Sequence, residues 1–308
     1  MIGVITLFAL FASLFSLFKV ALQYSEPFFL IGSRMFLAGI GFLVYQAIRD
    51  RKGLLAALKQ LPALCLFGFF AIYATNIAEI WGISRMVSAR ACFLYSLSPF
   101  AAAIIAYFVL HEVLTAKKWA GLCLGFCGVL PIVLEHSSCS MDGSLGGLIS
   151  LGDLAIVFAV CSSSLGWILL KKSVTSGGLS PISVNGIGMT FGGILALVHS
   201  YLSGENWAPF PVTDWGPFLK NVLIIALISN GICYNLYGYL LKRYSASFIS
   251  FGGLITPLFA SFFGWFFLDE SIPWVFAVSV GLFAIGLWLF YGEEKKALEV
   301  DLPLPETP

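Results

Sequence analysis

Eighteen residues pass before this chain reaches its first charged side chain, Lys19. An apolar run of that length crosses most of a bilayer as a helix rising 1.5 Å per residue. Comparable runs recur at about 2–22, 26–48, 61–83, 87–110, 117–134, 148–170, 180–202, 218–241, 245–268 and 273–291. Hydrocarbon offers the backbone no partners, so a spanning segment must be a helix or a strand of a closed barrel. The alternation of a barrel strand is absent, and the runs read as helices. Composition agrees: 59% of residues are hydrophobic and 11% charged, where a soluble domain carries roughly a quarter charged residues. The expected class is an all-α integral membrane protein with ten transmembrane helices. The first run lacks a basic flank and a clean cleavage site, and reads as a helix that stays.

Two phrases in the chain nearly match. "SPFAAAIIAYFVLHE" runs from Ser98 to Glu112, and "TPLFASFFGWFFLDE" from Thr256 to Glu270. Pro99 pairs with Pro257, Leu110 with Leu268 and Glu112 with Glu270, each at an offset of 158 residues. The same offset pairs Arg85 with Arg243 and Gly128 with Gly286, while Pro27 pairs with Pro181 at 154. Basic residues tell the orientation of each copy. With the N-terminus in the cytoplasm, Arg49, Arg51, Lys52, Lys59, Lys117, Lys118, Lys171, Lys172, Lys242, Arg243, Lys295 and Lys296 all face inward. The first phrase then ends in an inner loop with two lysines, and its twin ends in an outer loop with none. Five helices per copy place the second copy upside down. The expected organisation is a first repeat at 1–135, a non-cytoplasmic loop at 136–147, a second repeat at 148–291, and a disordered cytoplasmic tail at 292–308. Inverted repeats are a recurrent build for secondary transporters, with a midplane site between the halves. Both termini are expected in the cytoplasm, in a cell (inner) membrane if the source is bacterial.

The opening "FASLFSLFKVALQYSEPFFLIGSRMFLAG" and the phrases "ARACFLYSLSPFAAAIIAYFVLHEVLTAKKWAGLCLGFCGV" and "SASFISFGGLITPLFASFFGWFFLDESIP" resemble the EamA-type members of the drug/metabolite transporter superfamily. The resemblance covers nearly all of 1–291. It implies ten helices and transport of small organic solutes, often amino acids, nucleotide-like metabolites or drugs. The chain departs from the pattern in having no Trp in its first helix, and in Arg90 where the second copy has Phe248.

Charges inside spans are costly and mark functional candidates. Lys19, Arg34, Glu79 and Arg90 are the four in the first half. Lys19 and Arg34 stand where the family has basic residues, and for both a structural role is the readier reading beside the functional one. Glu79 is the sharpest candidate, with Asn76 one turn away on the same face. At the 158-residue offset Asn76 corresponds to Tyr234 and Glu79 to Tyr237, and Asn230, Tyr234 and Tyr237 recur at helical spacing. These two stripes are expected to face one cavity, completed by Tyr73, Tyr95, Trp167 and Asn185, with Lys19 and Arg90 as its basic groups. Gly121, Gly125, Gly128, Gly188 and Gly192 read as close helix contacts. Pro99 and Pro257 are expected to bend the fourth and ninth helices.

Such a cavity suits a substrate with both charge signs and an aromatic part. Amino acids fit, and so does S-adenosylmethionine exchanged for S-adenosylhomocysteine, since some family members carry it. A proton-coupled amino-acid or drug exporter is the alternative, with Glu79 carrying the proton. A net charge of +1 argues against nucleic acid as a partner; the lipid bilayer and a small-molecule substrate are the partners expected. The cysteines and histidines are scattered, so neither a disulfide framework nor a metal or other cofactor is expected. The loops are too short and poor in carboxylates for a membrane enzyme, and a passive channel is the other rival class.

Overall fold

The computed structural model describes the backbone of residues 1–85, 91, 94–112, 114–138, 150–259, 262 and 274–300, and their side chains except at 15, 16, 19, 132–138, 274, 275 and 297–300. These residues form eleven helices. They are α1 (Ile2–Ala21), α2 (Pro27–Arg49), the short α3 (Arg51–Leu58), α4 (Leu61–Ile83), α5 (Ser98–Leu110) and α6 (Ala116–Ser138). Then come α7 (Leu151–Thr175), α8 (Pro181–Leu202), α9 (Trp215–Leu241), α10 (Ala246–Phe259) and α11 (Trp274–Val300). Among the described residues, six helices are long and apolar enough to cross a membrane by length and composition.

The helix starts follow from the sequence. Ser150 caps α7 in a reciprocal box with Asp153, Ser180 caps α8, and Pro27 and Pro181 occupy first-turn positions where a missing N–H costs nothing. Glu205 reaches back to cap α2, accepting from the Phe28 and Phe29 N–H groups at 2.7 and 2.9 Å.

Small residues set how closely the helices approach. There is no hydrophobic drive between helices in lipid, so packing depends on backbone proximity. In the contact of α2 with α8, a Cβ on Gly39 would stand 2.5 Å from the Thr190 nitrogen. In that of α6 with α11, a Cβ on Gly121 would stand 2.8 Å from the Gly286 carbonyl. The glycines singled out in the sequence all stand at such contacts: Gly125 against Phe251, Gly128 against Leu282, Gly188 against Phe67 and Gly192 against Gly68.

Two helices carry a wider turn. Gly68–Ala74 of α4 and Ala226–Tyr234 of α9 are π-helical, and Gly68 plus 158 is Ala226. Each π segment releases carbonyls that nearby side chains take up. Thr75 and Ser162 donate to the Phe70 carbonyl at 2.7 and 2.9 Å. Asn235 donates to the Asn230 and Gly231 carbonyls at 3.2 and 3.0 Å. Without those donors the freed carbonyls would be unpaired in an apolar interior.

Pro99 stands in the first turn of α5, just after a turn at Ser96 and Leu97. The 3₁₀ segment Gly253–Ile255 precedes Pro257 in α10. Both prolines thus follow a break in regular α-helix, as a ring that clashes with the carbonyl four residues back requires.

The last helix departs from expectation. It runs to Val300, through the charged segment at 292–300 where a disordered tail was expected; residues 301–308 lie outside the described residues. Its acidic groups are paired: Glu294 with Lys118 at 2.6 Å, and Glu293 with Lys296 and Lys117 at 2.9 and 3.7 Å. Similarly, α6 extends to Ser138, into the loop expected at 136–147. The lysine-rich end of the molecule is further tied by Lys171, which reaches Glu112 at 2.5 Å and the Tyr244 carbonyl at 3.1 Å.

Candidate substrate site

Below the charged ends, the helix interior holds a second group of polar side chains. Arg34 of α2 is only 3% exposed. Its Nη1 donates to Ser229 Oγ of α9 at 3.3 Å, and its guanidinium lies 4.8 Å from the Phe18 ring centre. Among the described residues the Nε has no partner. Glu79 of α4 and Tyr234 of α9 are within electrostatic reach of Arg34. Among the described residues, however, no ion pair under 4.0 Å joins Arg34 to Glu79. The two opposite charges are thus within electrostatic reach without being in contact.

Three further groups surround this pair. The Tyr95 hydroxyl is buried and makes no fully formed hydrogen bond, yet lies within reach of the Glu79 carboxylate. Asn76 donates to the Ile72 carbonyl at 2.7 Å and comes within reach of the Tyr234 hydroxyl. Asn76 and Tyr234 are the residues that the 158-residue offset equates, so the two π-bearing helices meet at equivalent positions.

On the other side of Tyr234 stands an aromatic group. Trp167 of α7 stacks on Tyr237 with ring centres 3.8 Å apart and planes 14° from parallel. Tyr234 is 5.1 Å from the same indole. Phe8 and Phe11 of α1 present their rings edgewise to Tyr237 and Tyr234 at 6.4 and 6.3 Å. The edge-on approach of the two phenylalanines is the T-shaped arrangement that aromatic quadrupoles favour.

The sequence candidates divide accordingly. Glu79, Asn76, Tyr95, Tyr234, Tyr237 and Trp167 come together in this one region. Tyr73 does not join them by any described contact. Its hydroxyl is hydrogen-bonded to His199 Nδ1 of α8 at 3.0 Å, and its ring packs on Phe69. Asn185 and Asn230 are fully buried and serve the contact of α8 with α9. Asn185 donates to Asn235 Oδ1 at 3.1 Å, and Asn230 Nδ2 faces the sulfurs of Met35 and Met189 at 2.9 and 3.4 Å. Arg90 and the Lys19 side chain lie outside the described residues. Sequence reasoning counted Arg34 among the charged candidates but favoured a structural role for it, and passed over Ser229, Phe8 and Phe11. The signal for Arg34 was present, as a lone charge in an apolar run, but not its position opposite Glu79.

Among the described residues, no group of three or more His, Cys, Asp or Glu side chains could hold a metal ion. The arrangement suits recognition: a cation and an anion held apart, with flat aromatic surface beside them.

Comparison with known proteins identifies the family. The model of the EamA-like transporter family matches residues 1–134 and 150–292. The S-adenosylmethionine/S-adenosylhomocysteine transporter of Chlamydia trachomatis serovar L2 is 38% identical over 286 residues, covering 92% of this chain and 86% of that protein. The protein of that name from Chlamydia muridarum is 38% identical over 289 residues, with coverages of 92% and 89%. The inner membrane transporter YedA of Escherichia coli K12 is 23% identical, covering 92% and 90%. A solved crystal structure superposes with a TM-score of 0.73 at 14% identity, covering 96% of this chain and 98% of that one. That likeness speaks to fold alone. The protein is a multi-pass integral membrane protein and a transporter of small molecules rather than an enzyme. The chain belongs to the EamA-like transporter family, part of the drug/metabolite transporter superfamily.

Proposed function

We propose that this protein exchanges S-adenosylmethionine for S-adenosylhomocysteine across a membrane by alternating access. The observation that carries the substrate is the 38% identity, over nearly the whole chain, to chlamydial proteins named for that pair. The site chemistry is consistent with it. Both ligands have a carboxylate and an ammonium for Arg34 and Glu79, and an adenine for the Trp167, Tyr234 and Tyr237 rings. The sulfonium of S-adenosylmethionine adds a cation that aromatic faces attract.

The halves, 1–135 and 148–291 with the connection 136–147 between them and 292–308 following, form inverted five-helix repeats in this reading, ten spans in all. Supporting it are the family model's two matched segments, the π segments at one offset, and the meeting of Asn76 with Tyr234. The lysine-rich end lies in the cytoplasm with both termini, by the bias of basic residues, in the inner membrane of a bacterial source. Swapping the conformations of two similar halves would open the site to either face in turn.

Radiolabelled S-adenosylmethionine uptake into cells expressing the protein tests the substrate. Excess unlabelled S-adenosylhomocysteine should suppress uptake at least tenfold. Uptake no greater than in control cells would overturn the reading. A second reading, favoured by a carboxylate in the span interior without an ion pair among the described residues, makes Glu79 a proton carrier. In that case collapse of the proton gradient would stop transport.

A further inference from the structure

Arg34 is buried among helices at 3% exposure with one guanidinium nitrogen unpaired. Its described contacts are a neutral hydroxyl, Ser229 Oγ at 3.3 Å, and the face of the Phe18 ring at 4.8 Å, so among the described residues no carboxylate meets its charge within 4.0 Å. Glu79 of the π-bearing helix α4 is within its electrostatic reach without closing to 4.0 Å. A buried ion pair that served packing alone would close, because leaving two opposite charges apart in an apolar interior forgoes the attraction that offsets their desolvation. Instead the buried Nε is left as a donor with no acceptor among the described residues.

We propose that Arg34 and Glu79 form a split receptor for an α-amino-acid head group, the guanidinium taking the carboxylate and Glu79 the ammonium. The inference deepens the substrate reading above and rests on it only for the adenosyl end. Arg is the side chain whose planar fork matches a carboxylate with two parallel N–H donors, and Nε is one of the donors such a fork uses. The carboxylate at Glu79 accepts from an ammonium, and the Tyr95 hydroxyl beside it is free to hold that carboxylate in place. Tyr234 lies within electrostatic reach of both charges and 5.1 Å from the Trp167 indole. A ligand spanning from one to the other would therefore carry its head group at Arg34 and its ring at Trp167.

The receptor also bears on exchange. A zwitterion between the two groups neutralises both, whereas an empty site must move with its charges unsatisfied in a medium of low dielectric. The loaded carrier is thus the one that reorients readily, and flux requires a ligand on each side.

The test is ligand binding to purified wild-type protein, read by calorimetry. S-Adenosylmethionine should bind on the order of tenfold or more tighter than its decarboxylated form, as loss of a charge-assisted contact requires. 5′-Methylthioadenosine, which lacks the head group altogether, should bind weaker still. The preference for the carboxylate should fall to within about twofold in Arg34→Gln and be partly kept in Arg34→Lys, which preserves the buried charge if the glutamine variant fails to fold. Equal affinity of wild type for the two forms, or an unchanged preference in Arg34→Gln, would overturn the proposal. Free amino acids measured beside their corresponding amines separate the two readings. If S-adenosylmethionine does not bind but an amino acid does, tighter than its amine and dependent on Arg34, the receptor stands and the adenosyl substrate falls.

Discussion

α4 and α9 have the same backbone and different chemistry. Each is broken by a π segment at the same offset, and each has freed carbonyls taken up by side chains. Two residues past the end of its π stretch, however, α4 presents Asn76, and then Glu79, whereas at the equivalent positions α9 presents Tyr234 and Tyr237. π turns concentrate at functional sites because they shift which side chains face a neighbour. The comparison teaches a division of labour. In the inverted-repeat reading proposed above, the shared backbone would shape the space between the halves and the divergent side chains would select what enters it. A perfectly repeated site would present like charges to itself. Divergence gives one half an anion and the other flat aromatic surface, which suits an asymmetric ligand.

The largest expected effect comes from erasing the charged side of that contrast. Glu79→Gln should reduce S-adenosylmethionine transport by roughly 10- to 100-fold, the cost of replacing a charge-assisted contact with a neutral one; initial rates in proteoliposomes measure it. Tyr237→Phe keeps the ring and should stay within about twofold of wild type in the same assay.

The next effect asks whether Glu79 stays ionised through the cycle. If it does, exchange of cationic S-adenosylmethionine for neutral S-adenosylhomocysteine moves one positive charge. A potential of 100 mV, negative inside, is then worth about 2.3 kcal/mol and should raise accumulation roughly 50-fold. Homoexchange of S-adenosylmethionine should ignore the potential. Accumulation that ignores the potential but follows a pH gradient would give Glu79 the proton-carrier role instead.

On the aromatic side, Tyr237→Ala should weaken binding by about 1–3 kcal/mol, the usual worth of a base stacked on an aromatic side chain, and should weaken adenosine as much as the full ligand. Glu79→Gln should leave adenosine untouched, so the two variants separate the halves by ligand fragment.

The smallest effects probe the shared backbone. Thr75→Val removes a donor to the Phe70 carbonyl and should cost about 0.5–1.5 kcal/mol. Asn235→Leu removes donors to two carbonyls and the acceptor for Asn185, and should cost more. Thermal unfolding in detergent orders the two.

How much of this could be read beforehand follows the same division. The spans were legible because lipid tolerates few alternatives. The helices at Pro27–Arg49, Leu61–Ile83 and Pro181–Leu202 begin and end within a residue or so of the apolar runs. Glu79 was legible as a carboxylate in a span, since such a group must have a reason to be there. The π segments were not, because "GFFAIYA" carries no mark that separates a wide turn from an ordinary one. Tyr73 and Asn230 show the same limit in side chains. A polar residue in a span announces that it needs a partner, but His199 and the methionine sulfurs that face these two come from helices far away in sequence. Arg34 was underread for the opposite reason: a basic residue there matched a family habit, and only the fold sets it across from Glu79. The final helix outran its apolar stretch because Lys117, Lys118 and Lys296 meet its acidic turn.

Counterflow tests the central claim most directly. Proteoliposomes loaded with unlabelled S-adenosylhomocysteine should take up labelled S-adenosylmethionine in a saturable burst, and vesicles loaded with buffer alone should take up little. Equal uptake by loaded and empty vesicles, or none by either, would contradict an exchanger of this pair.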